Sequence, residues 1–428
     1  MRIFLLTAII APILLWSCSD SDNSDNNHVI CPGASDHQWS ATLKGNGEVL
    51  GAYPDLYSNY WEYTYNVAEN PNVALCFEGQ FPYARYFSFS LYNDETGSAI
   101  GGMNDVEIKP DDGSENPFCV TSNKINKFTI YLIPPAMTEE QVKKLPSKNI
   151  CRIDSGVNKL AVCIRHYLGQ DSKGNSDEYG GVVLPLIRAI DIRTLKEVAV
   201  PQRITSNVYK VTGKVFTQVS DYKQDVPFFL APSSRYYPNN STSYLYARTH
   251  LTEDSVLTFS FIPVPIPQRP EDYPTAAARY WSICLGSASN TRSYYSIFDK
   301  AANTAENEKT SFAVCLKQNP KLNDIQTKIE KLNKAGKHWN LFVWDKDKLD
   351  VDGKPIGSVI VIMYRNILAN KNWPHSIANM LPTDYKNETG EPIDHVTDPS
   401  KQIAHKALGD YGPHGMKHAV SDFLNANE

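Results

Sequence analysis

Two separate stretches of the chain carry the same short apolar segments in the same order. The sharpest match is Ala-Arg-Tyr-Phe-Ser at residues 84–88, which returns as Ala-Arg-Tyr-Trp-Ser at residues 278–282. A Tyr-Pro pair before Tyr60 likewise returns before Tyr244. Since several landmarks keep one order, we infer a duplication. We place the copies at residues 45–200 and 215–375, with a linker at 201–214.

The segments within each copy are short, rich in β-branched and aromatic residues, and separated by turn signals. This pattern predicts an all-β, mainly antiparallel fold with a few short helices, built as two tandem β-sandwich or jelly-roll-like domains. We predict the helices near residues 138–142 and 323–335. We also match the closing apolar segments of the two copies, which end near Arg188 and Arg365.

The repeated Ala-Arg-Tyr-Phe/Trp-Ser strand resembles a group of uncharacterised exported bacterial proteins that have jelly-roll-like domains of unknown function. The resemblance covers a short part of each copy. It implies the same kind of β-fold and carries no known activity or site residue.

The amino terminus has one basic residue followed by an apolar run that is too short to cross a bilayer. The run ends Leu-Leu-Trp-Ser-Cys, which resembles the lipobox of bacterial lipoproteins. We expect a signal peptide at 1–17, acylation of Cys18, and a flexible tether at 18–44. Ser19 after the cysteine suggests an outer-membrane lipoprotein of the cell envelope. Plain secretion is the alternative.

Composition excludes one class of partner and leaves the cysteines open. The net charge of −5, without a basic cluster, argues against nucleic acid. An exported chain can form disulfides, and we favour a bridge between Cys284 and Cys315 over one between Cys151 and Cys163.

Four arginines recur at positions that we match between the copies, namely Arg85 with Arg279 and Arg188 with Arg365. Arginines within apolar strands suit an anionic ligand or structural ion pairs, and both interpretations stay open. In a loop-rich extension at 376–428, His414 and His418 would share one face of a helix. They suit a metal or acid–base site, or ordinary surface histidines.

The aromatic run around Trp61, Tyr63 and Tyr65 predicts one strand face, either as core or as an exposed surface for carbohydrate or protein contact. The sequence shows no catalytic motif and no cofactor motif. The first hypothesis is therefore a non-enzymatic envelope lipoprotein that binds a small molecule, a glycan or a protein. The second is a periplasmic or surface hydrolase with its site in the inter-domain cleft or the C-terminal extension. A structural assembly component is a third.

Overall fold

The structure is a computed structural model, and it describes residues 38–44, 53–121, 126–207, 224–231, 237–380 and 403–426. These residues all belong to one unit of the chain. Their strands form four sheets of five strands each, which pack as two β-sandwiches. The predicted all-β, mainly antiparallel fold is thereby confirmed.

The first sandwich has an inner sheet, which faces the second sandwich, and an outer sheet. The inner sheet runs β1 (Leu43–Lys44), β2 (Ser58–Asn66), β8 (Lys159–Tyr167), β4 (Tyr86–Asn93) and β5 (Ser98–Asn104). The outer sheet runs β10 (Glu197–Val198), β9 (Leu186–Asp191), β3 (Val73–Gln80), β6 (Lys127–Ile133) and β7 (Asn149–Arg152).

The second sandwich repeats this strand order. Its inner sheet runs β12 (Phe229–Leu230), β13 (Thr242–His250), β19 (Val359–Ile367), β15 (Tyr280–Ser287) and β16 (Ser293–Phe298). Its outer sheet runs β11 (Asp225–Pro227), β20 (His414–Ala419), β14 (Ser255–Phe261), β17 (Thr310–Leu316) and β18 (His338–Trp344). Even the parallel pair recurs, as β6 with β7 and β17 with β18.

Helices are few and short in the described residues. They are α1 (Glu139–Val142), α2 (Leu322–Lys334), the turns of helix Ala404–Leu408 and Val420–Asn425, and the 3₁₀ segments Pro270–Thr275, Ile377–Asn379 and Gly409–Tyr411. A capping box at Thr138 and Gln141 starts α1, as its sequence predicts. In α2, Ile325 and Ile329 are buried against the outer sheet, because residues four apart share one helix face.

Each sandwich is filled by residues from both of its sheets. Trp61, Tyr63 and Tyr65 are buried in the first core together with residues of β3 and β6, so the aromatic run is core. In the second core, Phe259 of β14 stacks on Phe312 of β17.

The expected flexible tether and linker contain packed residues. Trp39 is buried in the first core and its indole donates to the carbonyl of Pro185. In the expected linker, Ser206 is buried and bonds Asp94. Ordered contacts therefore reach into both segments, while Cys18, the signal peptide and residues 208–214 lie outside the described residues. The domain boundaries themselves stay a prediction.

The closing segments were matched wrongly. In β19, Arg365 stands opposite Ser282, and in β8, Arg165 stands opposite Ser88. Ser88 and Ser282 end the repeated pentapeptide, so the counterpart of Arg365 is Arg165 and not Arg188. The apolar segments that contain β8 and β9 look alike in sequence, whereas their pairing partners distinguish them.

The expected loop-rich extension at 376–428 supplies an interior strand of the second sandwich. There β20 pairs with both β11 and β14, in the place that β9 holds in the first sandwich. Gly412 before the strand and Gly415 within it are typical of turns, and they concealed the strand in the sequence. At Gly415 a Cβ would lie 2.8 Å from the carbonyl oxygen of Val226, so glycine is needed for the strands to approach.

The expected disulfide between Cys284 and Cys315 is wrong, because both thiols are free. Cys284 lies on the inner sheet among residues that face the other sandwich, whereas Cys315 lies on the outer sheet under α2. The two side chains therefore point away from each other across the whole sandwich. Cys151 and Cys163, the second choice, are free as well.

Candidate functional site

The two inner sheets meet through a set of contacts that is reciprocal between the sandwiches. The guanidinium of Arg85 donates to the carbonyl of Arg279 at 3.0 Å, and that of Arg279 donates to the carbonyl of Arg85 at 3.3 Å. Arg279 also holds Asp105 by two bonds of 3.0 and 3.1 Å, and Arg85 lies 3.6 Å from Asp299. Each arginine thus reaches across to the aspartate of the other sandwich.

These ion pairs are removed from water. Arg279 and Asp105 are both fully buried, and burial raises the pKa of Asp105 against the lowering effect of Arg279. Burial likewise raises the pKa of Asp299, against the lowering effect of Arg85. A buried carboxylate requires such a partner, so these two arginines are structural.

A second reciprocal contact uses the repeated Tyr-Pro turns. Tyr53 and Tyr237 both adopt left-handed backbone conformations, with φ of 52° and 54°. The carbonyl of Tyr53 accepts from Arg365 at 2.7 Å, and that of Tyr237 accepts from Arg165 at 3.0 Å. Each turn therefore docks onto an arginine of the opposite sandwich, which stabilises a conformation that costs energy in isolation.

The two turns differ in one charge. Asp55 follows the first turn, lies 3.4 Å from Arg365, and accepts from the hydroxyls of Tyr280 and Ser282. The corresponding residue of the second turn is Asn239, which accepts from the hydroxyl of Tyr86. Arg165 therefore has no carboxylate within ion-pair distance among the described residues.

The four predicted anion-binding arginines thus divide. Arg85, Arg279 and Arg365 lie in the interface, where protein groups occupy them. Arg188 lies on the outer sheet, half exposed, with Glu78 and Glu197. The structure does not bring the four together.

The centre of the interface is filled by aromatic rings. Tyr86 and Tyr280 each pack edge-on against Tyr167, at ring distances of 5.6 and 5.5 Å, and Ile367 completes this cluster. All four side chains are buried. The middle of the interface therefore has no room for a ligand.

A pocket of about 380 Å³ opens beside this filled centre, and we call it the cleft pocket. One wall comes from β4, β5 and the turn after β5, and the other from β13 and the segment that follows β19. Its lining is Phe89, Ser90, Gly101, Gly102, Met103, Asn104, Glu107, Asn240, Ser241, Ser243, Leu368, Ala369, Lys371 and Ala378. The size suits a small ligand.

The pocket exists because the two sandwiches differ at equivalent positions. Ser241 corresponds to Tyr57, since their carbonyls accept from the equivalent amides of Leu368 and Leu168. At the equivalent place on the other side of the interface, the Tyr57 ring packs 4.7 Å from the ring of Phe298. The Tyr57 hydroxyl donates to the carbonyl of Ser296 at 3.2 Å. The place equivalent to the pocket is therefore filled by a tyrosine.

The side chains on the opposite wall are smaller as well. Asn104 replaces Phe298, since the two stand opposite Ser88 and Ser282 in the same strand pairing. By the same register, Gly102 replaces Ser296. Three smaller side chains together leave the space open.

Gly102 is confined to glycine by its backbone. Its φ is +144°, and a Cβ there would lie 2.3 Å from the carbonyl oxygen of Phe89. No side chain can be added without moving β5 away from β4. The open wall is therefore built into the strand pairing.

The pocket offers neutral hydrogen-bonding groups on its floor and charged groups at its rim. The Ser90 hydroxyl accepts from buried Arg165 at 2.5 Å, and the Asn104 amide approaches the Ser241 hydroxyl at 3.5 Å. Glu107 and Lys371 are exposed. These groups can orient a polar ligand, and they form no nucleophile–base pair.

The structure separates His414 and His418 instead of placing them on one helix face. Both lie on β20, and residues four apart on a strand are about 13 Å apart. His418 bonds the hydroxyl of Thr258 at 2.9 Å, while His414 bonds Asp225. The described residues hold no cluster of three or more groups that could bind a metal ion.

His414 nevertheless belongs to a histidine cluster in the second sandwich. Its ring stacks on that of His405 at 4.0 Å, and burial lowers the pKa of His405, with His414 adding to the effect. An aspartate that orients a histidine is one part of a hydrolytic site. Among the described residues, no serine, threonine or cysteine side chain bonds to His405 or His414, so the nucleophile is missing there.

Sequence comparison of the copies could have found the cleft pocket. Ser241 follows the second Tyr-Pro pair at the spacing at which Tyr57 follows the first. A repeat that replaces a large residue by a small one predicts a local difference in packing. The replacement of Phe298 by Asn104 could be found in the same way, because 104 − 88 = 298 − 282 = 16, so that each follows the last serine of its pentapeptide by the same spacing.

Comparison with known proteins shows no matching family model and no matching curated protein. Two similar solved structures are an uncharacterized protein from Burkholderia cenocepacia and the VPA0106 protein from Vibrio parahaemolyticus. The first has a TM-score of 0.44 at 11% identity, over 78% of this chain and 79% of that chain. The second has a TM-score of 0.37 at 9% identity, over 73% of this chain and 85% of that chain.

The part of the chain that the structure describes contains no helix long and apolar enough to cross a membrane.

Proposed function

We propose that this chain is a lipid-anchored cell-envelope protein that binds a small polar ligand in the cleft pocket. One observation carries the proposal: of two equivalent places at the interface, one is filled by Tyr57 and the other is open and lined by polar groups. Because a tyrosine closes one of the two equivalent places, we infer that the open place is kept for a ligand.

The interface around the pocket supports binding rather than catalysis. Its arginines are held by Asp105, Asp299 and Asp55, and its centre is filled by tyrosines. Such a rigid frame holds the pocket walls in place, which lowers the conformational entropy that the protein must lose when a ligand binds.

The test uses the methyl group of Met103 as a reporter, because Met103 is part of the pocket wall and its side chain packs on the first core directly behind that wall. Full-length protein labelled at its methionine methyls is titrated with a panel of amino acids, dipeptides, monosaccharides and disaccharides. We expect at least one probe to shift the Met103 signal saturably, while Met137, which packs beside α1, stays unchanged.

The decisive variant is Ser241→Tyr, which places on the open side the residue that fills the other side. We expect it to remove the Met103 response. The matched control, Tyr57→Phe, leaves the pocket untouched and should bind like the unmodified protein. No probe binding, or equal binding by Ser241→Tyr, overturns the proposal.

The anchor is tested separately. Growth with an alkyne-tagged fatty acid should label the unmodified chain, and Cys18→Ala should abolish both the label and the recovery of protein in the outer-membrane fraction. Labelling that persists in Cys18→Ala contradicts acylation at this residue.

A hydrolase is the second candidate, and the bond between His414 and Asp225 is the observation that favours it. A fluorophosphonate probe labels an activated serine. Labelling that disappears in His414→Ala would support the hydrolase, whereas we expect no labelling of the native protein.

A further inference from the structure

The charges at the rim of the cleft pocket point to the class of ligand. Of the described residues that line the pocket, two are charged, Glu107 and Lys371. Glu107 comes from the turn after β5 in the first sandwich, and Lys371 from the segment after β19 in the second. They form no ion pair with each other or with another described residue, so each charge is available to a ligand.

The carboxylate of Glu107 is held in place by the backbone of its turn. It accepts from the amide of Asn104 at 2.9 Å, and Asn104 in turn accepts from the amide of Val106. One negative group is thus fixed beside the floor of the pocket, with lone pairs left to accept from an ammonium group.

Positive charge reaches the pocket from two places. Lys371 supplies an ammonium at the rim. Beneath the floor, Arg165 is buried, donates to Ser90, and lies over the rings of Tyr60 and Tyr92 without a carboxylate in direct contact. Its charge therefore favours an anionic group near Ser90.

A pocket that combines a fixed negative group with separate positive groups discriminates by charge. A ligand that is only anionic approaches Glu107 unfavourably, and one that is only cationic approaches Lys371 and Arg165 unfavourably. A ligand with both charges at its two ends meets a partner at each wall.

We propose that the cleft pocket takes a small zwitterion, of the class of a free amino acid or short peptide, with its ammonium toward Glu107 and its carboxylate toward Lys371. The inference rests on the proposed function. The hydroxyl of Ser241 and the amide of Asn104 then bond the neutral middle of the ligand.

The test compares three probes that differ in the charge of their two ends: L-alanyl-L-alanine, its N-acetyl derivative and its C-terminal amide. Full-length protein with labelled methionine methyls is titrated at low salt, with Met103 as the reporter. We expect each capped probe to bind about threefold to tenfold more weakly than the zwitterion, since exposed charge pairs are modest in strength. The difference should shrink in 0.5 M salt.

Two variants assign the ends of the ligand. In Glu107→Gln the N-acetyl probe should bind as well as the zwitterion, while the amide probe stays weaker. In Lys371→Gln the pattern reverses. Both side chains are exposed, so neither variant should alter folding, which the unchanged Met137 signal checks.

Equal binding of all three probes, or preferential binding of an uncharged disaccharide, overturns the zwitterion inference and leaves the pocket as a binding site. If no probe of any class binds the native protein differently from Ser241→Tyr, both the inference and the proposed function are overturned.

Discussion

Tyr57 and Ser241 occupy the same place in the two sandwiches, and their carbonyl oxygens accept from the amides of Leu168 and Leu368 at 2.9 and 2.6 Å. The backbones therefore agree while the side chains do not. Tyr57 closes one side of the interface on Phe298, and Ser241 leaves the other side open. The pocket arises from a difference between duplicated parts, because a large side chain is present at only one of the two equivalent places.

Removal of the Tyr57 ring should open a second cavity. We expect Tyr57→Ser to lower the free energy of unfolding by about 1–3 kcal/mol, below the range for fully buried aromatics because the ring is half-buried. Tyr57→Phe, which loses only the bond to the carbonyl of Ser296, should cost about 0.5–1.5 kcal/mol. Urea unfolding measures both. Equal costs for the two variants would contradict the packing role of the ring.

The reciprocal ion pairs should differ in strength. Asp105→Asn leaves Arg279 buried without a carboxylate, and we expect a loss of about 3–5 kcal/mol. Asp299→Asn should cost less, because Arg85 lies 3.6 Å away and one oxygen of Asp299 has no bonding partner. Denaturant unfolding gives both values, and exposed Glu197→Gln serves as the control within about 0.5 kcal/mol. A larger effect at Asp299 would contradict this ranking.

His166 should make stability depend on pH. It is buried against Trp61, and burial lowers its pKa to about 4. The carbonyl of Glu178 can only accept, so Nδ1 carries the proton of the neutral ring. Because the folded pKa lies below the unfolded value of 6.5, this contribution is complete above pH 6.5 and declines as the pH falls toward 4.

Over that range we expect a loss of about 3 kcal/mol relative to His166→Asn, which keeps a donor but does not titrate there. Urea unfolding of both proteins between pH 7 and pH 4 gives the difference curve. A flat difference would show that His166 is accessible to water in the folded state.

The thiols should be protected but not bonded to each other. Burial raises the pKa of Cys284 to about 11 and that of Cys315 to about 12, so both react slowly in the native state. Alkylation in denaturant without reductant should modify both, as shown by peptide mass spectrometry. A sample reduced first is the control, and a cross-linked peptide containing both cysteines would contradict the structure.

The sequence predicted the fold well because its evidence is local. Alternating apolar residues predict strands, and the repeated pentapeptide identifies β4 and β15 as equivalent strands. The capping signal at Thr138 likewise marks the start of α1. Each of these features depends on neighbours a few residues away.

Long-range relationships were harder to predict. The pairing of Arg365 with Ser282, and of β20 with β14, depends on which strands meet after folding. Whether Cys284 and Cys315 can form a disulfide depends on the sheet face that each thiol occupies. Site geometry shares this dependence, because the cleft pocket combines Asn104 from one sandwich with Ser241 from the other.

The most direct test of the account compares ligand affinity and stability in the native protein and in Ser241→Tyr. With the probe that binds most tightly, we predict that the variant keeps the native unfolding transition and loses at least about tenfold in affinity. Unchanged affinity in a folded Ser241→Tyr protein would contradict the claim that the open side of the interface is the binding site.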